Sequence, residues 1–80
     1  MGNWYFLSTD QFATRISYDA QDRQEYIGEC DAKNQNKFLS AVWRIKKIIY
    51  DANNNILAIT WADGTMEFDK VWSDRATYTY

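Results

Sequence analysis

The side chains that could do chemistry in this 80-residue chain are few, and histidine is not among them. Acid–base catalysis would rest on carboxylates, tyrosine, lysine or a thiol. The one thiol, Cys30, has no histidine to take its proton, and an unactivated thiol is mostly protonated near neutral pH. A single cysteine also forbids an internal disulfide. Free cysteine is among the most buried residue types, so Cys30 reads as a small core residue. Glu25, Glu29 and Glu67 would form a carboxylate pair only if folding brought two of them together, and nothing in their spacing requires it. Asp51-x-Asn53-x-Asn55 opens like a calcium loop. Such a loop needs glycine at its sixth position and glutamate at its twelfth; here those positions hold Ile56 and Ala62. The stretch reads as a turn. No catalytic residue, metal site or cofactor is expected.

Binding chemistry is better supplied. Tryptophan, tyrosine and phenylalanine make up 18% of the chain, and each can bury roughly 150–250 Å². A domain this short buries only about 60–65% of its unfolded surface, so some of these rings are expected at an interface. Sugar sites on sheets use exposed aromatic faces beside carboxylates, amides and guanidinium groups. Trp61, Asp63, Trp72, Asp74 and Arg75 are the candidates for such a glycan site. A small core claims the same rings first: Trp43, Ile45, Ile59, Trp61, Phe68 and Trp72 are its expected members. The interface candidates are Trp4, Tyr5, Phe6, Tyr78 and Tyr80, because terminal segments are free to reach neighbours and aromatic residues anchor interfaces.

The formal net charge is -2 and the isoelectric point is near 4.8. Non-specific nucleic-acid binding needs a basic footprint, which this balance argues against. Arg44, Lys46 and Lys47 read as one solvated strand face. No apolar run approaches the ~20 residues of a membrane span. The start, MGNWYFLSTDQF, lacks the positive residues of a secretory signal, and Phe6 stands where an N-myristoylation motif wants Ser or Thr. Synthesis in a cytoplasm, with no membrane partner, is expected.

These side chains must be positioned by strands. Trp4 to Leu7 is a short apolar run. Thr14 to Tyr18 and Glu25 to Cys30 can pair across the polar DAQDR stretch. VWRIKKIIYD alternates, with Trp43, Ile45, Lys47 and Ile49 on one face and Arg44, Lys46, Ile48 and Tyr50 on the other. ILAITW and MEFDKVW flank Asp63-Gly64, a strong two-residue hairpin signal. ATYTY alternates as a terminal strand. The helix candidates, Thr9 to Thr14 and Phe38 to Trp43, are too short to stand alone. The sequence Tyr-Asp-Ala occurs at 18–20 and again at 50–52, each time at a strand end before a polar run. Aspartate there can accept from amides two residues on and start a turn. The expectation is an all-β antiparallel sheet, folded as a sandwich or open barrel from two similar hairpins, with at most one short helical turn. It forms one domain, 1–80, with 1–12 as an arm or first strand and 13–80 as the β core.

Tyr26-Ile27-Gly28, Trp43, Ile45, Ile48, Tyr50-Asp51, Trp61-Ala62-Asp63-Gly64, Phe68, Trp72, Asp74-Arg75 and Tyr78 together form a pattern. Over 13–80 it resembles a group of short proteins encoded by tailed bacteriophages. Three departures fall at turns: the group's Pro-Gly loop is replaced by Asp31 to Lys37, its Gly-Asn turn by Asn54-Asn55, and its Trp-Asp pair by Trp72-Ser73. The resemblance implies a virion component and supplies no catalytic residue. The expected function is therefore a non-enzymatic virion structural protein, a capsid, neck or tail accessory subunit. It would bind other phage virion proteins as a homo-oligomer or in multiple copies. The alternatives are a glycan-binding module of a tail fibre and a small inhibitor of a host enzyme.

Overall fold

The computed structural model describes residues 12–80. The candidates Trp4, Tyr5 and Phe6, and most of the expected N-terminal arm, lie outside them. Four strands form an antiparallel meander, β1 (Phe12–Tyr18), β2 (Gln24–Asp31), β3 (Ala41–Tyr50) and β4 (Ile56–Trp61), and a two-residue β5 (Lys70–Val71) pairs with the start of β3. The all-β antiparallel architecture and its two similar hairpins are as expected. Among the described residues the remaining regular structure is three 3-10 turns, at Ala32–Asn34, Ala62–Gly64 and Trp72–Thr77.

The Tyr-Asp-Ala repeat is one turn built twice. In the first, Asp19 Oδ1 accepts from the amides of Gln21 (2.8 Å) and Arg23 (3.0 Å). In the second, Asp51 Oδ1 accepts from Asn53 (2.8 Å) and Asn55 (3.0 Å). The amide of each aspartate closes the loop on the carbonyl four residues later, at 2.9 Å in both. Each turn puts one residue at positive φ, Asp22 (61°) and Asn54 (65°), residue types that tolerate the left-handed region. Beyond the turns the registers match as well: Tyr18 faces Gln24 and Ser17 faces Tyr26, as Tyr50 faces Ile56 and Ile49 faces Ala58. The bulge recurs at the same place. The two turns meet where Arg23 Nη1 donates to Asn54 Oδ1 at 2.7 Å. Asp51's carboxylate thus closes its own turn. Arg23 pairs with Asp19 as well, at 2.8 Å, and the turn amides and this guanidinium hold the Asp19 carboxyl below the usual carboxylate range. Its contribution is present above that range and lost as pH falls through the depressed value. Asp19→Ala is expected to lower the melting temperature more than Asp51→Ala, and its excess cost should shrink in acid. Thermal melts of both variants at neutral and acidic pH check this.

The two sheet faces differ. One carries Tyr26, Gly28 and Cys30 from β2 with Trp43 and Ile45 from β3, and Ala62, Trp72, Tyr78 and Tyr80 fold back over it. The core there is Tyr26, Cys30, Trp43, Ile45, Ala62 and Trp72, flanked by Phe38, Val42, Tyr78 and Tyr80. The pleat places Ile16, Ile27, Lys46 and Trp61 in one cross-strand row on the opposite face, with Ile48 opposite Ile59 beside it.

Several local expectations are corrected. Asp63 and Gly64 do adopt positive φ, 53° and 74°, yet they do not join paired strands. β5 pairs with β3 instead, and Met66 to Asp69 form no strand. ATYTY does not form a strand: Trp72–Thr77 is a 3-10 turn. Phe12 to Thr14, expected as part of a helix, belong to β1, and Phe38 to Ser40 lead into β3 without forming a helix. Ile59 and Phe68 are exposed, and Trp61 is half-buried; none of the three joins the core.

Candidate functional site

The residues singled out as binding candidates divide by where the C-terminal segment puts them. Trp72 is buried. It packs tilted against Trp43 with ring centres 5.6 Å apart, and its burial leaves no free face for a sugar. Arg75 serves the same core: its guanidinium lies 4.7 Å from the Trp72 ring centre, and Nη1 donates to the Trp72 carbonyl at 3.2 Å. Asp74 is exposed, and its carbonyl accepts from Thr77 Oγ1 at 2.7 Å. Among the described residues Asp74 and Arg75 form no ion pair with each other.

Tyr78 and Tyr80 are tied to their own chain. The Val71 amide donates to the Tyr78 hydroxyl at 2.7 Å, and the Tyr80 hydroxyl donates to the Arg75 carbonyl at 2.8 Å. Both rings pack on the core, Tyr80 against Tyr26 at 5.6 Å. These two tyrosines close the second layer over the sheet, so the described part of the interface set works internally. Burial, with the neighbouring Tyr26, pushes the Tyr80 phenol well above its ordinary value. A raised folded pKa means that its contribution is complete below pH ~10 and declines as pH rises above that. Stability should fall on the alkaline side, and Tyr80→Phe should flatten that fall while lowering stability at neutral pH through the lost hydrogen bond. Urea titrations from neutral to alkaline pH measure both.

Trp61 and Asp63 are brought together. They line an open hollow of about 640 Å³ with Thr60, Gly64, Thr79 and Tyr80. Asp63 is gripped from both sides: its amide donates to the Thr79 carbonyl at 2.7 Å, and its Oδ1 accepts from the Thr79 amide at 3.0 Å. Of the five expected glycan contacts, only these two share a site.

Cys30 is fully buried, and desolvation, aided by Asp31, raises its thiol pKa. Both effects oppose nucleophilic chemistry. Among the described residues no three histidine, cysteine, aspartate or glutamate side chains are grouped to hold a metal. No helix among them is long and apolar enough to cross a membrane.

The surface that the candidate residues missed is the outer edge of β4. Among the described residues β4 pairs only with β3. Its start and middle are exposed, with Ile56 58%, Leu57 67% and Ile59 52% accessible. The strand ILAITW contains no charge and no proline. At the far end of the same sheet face Phe12 stacks on Phe68 at 5.5 Å, and the Arg44 guanidinium lies 4.7 Å from the Phe68 ring centre. Arg44 also pairs with Glu29 at 2.8 Å. The basic run is therefore used unevenly: Arg44 is neutralised, while the Lys46 ammonium sits 5.3 Å from the Trp61 ring centre. Uninterrupted apolar and β-branched residues were the available signal for this edge, but alternation alone does not tell a covered face from an open one.

Comparison with protein-family models, with curated proteins and with solved structures finds no match to this chain.

Proposed function

We propose that this protein is a non-enzymatic structural subunit of a bacteriophage virion, present in multiple copies, and that its copies associate through the edge of β4. The observation that carries the association is the strand itself: six uncharged residues, three of them aliphatic and more than half exposed, on a strand that among the described residues pairs only with β3. Protein edges that must stay unpaired are usually protected by charge, proline or cover. β4 has no charge and no proline. A second β4 is the partner of matching chemistry. A two-fold axis normal to the sheet sets the two strands antiparallel, lets each backbone bond form twice, and opposes no like charges. The same axis keeps the face that carries Ile16, Ile27 and Ile59 continuous across both copies.

A six-residue strand pair alone buries less than the ~800 Å² per partner of a standard interface. Single contacts of this kind are weak, and multiple copies supply the avidity. The virion assignment rests on the resemblance of 13–80 to short phage-encoded proteins. Quantitative mass spectrometry of purified particles tests it. Several copies per particle are expected, counted against the capsid and portal proteins. Absence from the particle overturns the virion reading and moves a host-directed inhibitor into its place.

A further inference from the structure

We infer that the hollow between the end of β4 and the C-terminal residues is a binding site for a neutral sugar unit. This goes beyond the proposed association and does not depend on it.

The hollow is built by two distant parts of the chain. β4 delivers Thr60 and Trp61. The positive-φ pair Asp63-Gly64 then reverses the backbone, and Thr79-Tyr80 returns to meet it through the two hydrogen bonds on Asp63. An aspartate at φ 53° is an uncommon conformation for a side-chain-bearing residue. Here it is fixed in place, with one carboxylate oxygen engaged by the Thr79 amide. The second oxygen has no partner among the described residues and is available as an acceptor. On the other side Gly64 leaves the wall open, because a Cβ built there meets nothing within 4 Å. The volume, about 640 Å³, falls within the ~300–1,000 Å³ typical of small-molecule sites.

The charges decide the ligand class. An exposed carboxylate on the rim opposes anionic ligands. Two aromatic rings and a carboxylate could instead cage an organic cation, but both rings already have cations at their sides. Lys46 Nζ lies 5.3 Å from the Trp61 ring centre and Lys47 Nζ 6.0 Å from that of Tyr80. A further cation would be repelled by these ammonium groups. Among the described residues no lysine or arginine lines the hollow itself. What remains is a neutral ligand with an apolar face for the half-exposed indole and hydroxyl donors for the free carboxylate oxygen, and a pyranose has both. With about a dozen ligand atoms in a shallow site, a dissociation constant in the millimolar range is expected.

The test is a titration of the isotopically labelled full chain, followed by amide chemical shifts, with a panel of neutral hexoses, N-acetylhexosamines and their disaccharides. Choline and sialic acid are the charged controls. A saturable millimolar response centred on Asp63, Gly64 and Thr79 is expected for at least one neutral sugar and for neither control. Trp61→Ala should weaken it at least tenfold. Asp63→Asn, which keeps a side chain tolerant of positive φ, should weaken it several-fold. Spectral dispersion shows whether each variant folds, and the two variants act through different groups. Lack of a saturable response to every neutral sugar at tens of millimolar overturns the inference. So does a response to choline alone, or unchanged affinity in both folded variants.

Discussion

Gly28→Ala should destabilise the fold by about 1–3 kcal/mol, and Gly28→Val by more. Gly28 lies in the middle of β2 with ordinary extended backbone, so its role is packing and not conformational freedom. A Cβ added there would come within 2.6 Å of Trp72 Cε3 and Cζ3 and 3.1 Å of Trp43 Cε3. Carbon atoms do not approach so closely, so an indole must move. Trp72 is buried, and its ring is also held by the Arg75 guanidinium, so it has little room to do so. The cost should be specific to this pair. In a Trp72→Phe background, where the second ring of the indole is gone, Gly28→Ala should cost markedly less, because the clash is with atoms of that ring. A urea-denaturation double-mutant cycle measures the coupling. Equal costs in both backgrounds would show that Gly28 is required for some other reason.

Trp43→Ala is expected to remove about 3–5 kcal/mol. A domain of this size has a total stability on the order of 4–12 kcal/mol at the usual per-residue average. The loss is therefore between about a quarter and all of the fold's stability. Three contacts converge on Trp43, which is 1% exposed. Its ring lies against Trp72 and, at 6.3 Å, Phe38. Its indole N–H donates to the Lys37 carbonyl at 3.1 Å and pins the β2–β3 connection to the sheet. Trp43→Phe keeps a ring and loses the donor, so a smaller cost of about 1–3 kcal/mol is expected. Urea denaturation followed by circular dichroism separates the two. A Trp43→Ala variant as stable as the parent would mean that the core is not organised around this ring.

The parts of the fold that were legible in the sequence are those decided by neighbours along the chain. Asp19 and Asp51 each bind amides two and four residues on, so the identical Tyr-Asp-Ala prefix forecast the identical turn. The alternation of β3 gave its two faces correctly. The errors came where distant chain decides. Asp63-Gly64 took the positive-φ geometry that its residue types allow, but a hairpin also needs a partner strand, and the following chain crosses to the start of β3. Alternation in ATYTY promised a strand; the tyrosine hydroxyls are instead satisfied by the Val71 amide and the Arg75 carbonyl, with the rings on the core. Ile59 and Phe68 read as core residues because they are apolar, yet both are exposed. Period two names two faces without saying which one residues 62–80 will cover. The candidate sugar site was half legible for the same reason. Trp61 and Asp63 are neighbours in sequence, whereas Thr79 and Tyr80 reach them only through the fold.

The association through β4 is the central claim, and sedimentation velocity on the full chain over a wide concentration range tests it most directly. The parent protein should show a mass that rises with concentration toward a dimer or larger species. Ile59→Lys, which places a charge at the middle of the exposed edge strand, should remain a monomer at the same concentrations with an unchanged circular dichroism spectrum. A parent that stays monomeric throughout, or a folded Ile59→Lys variant that associates as the parent does, would contradict the account.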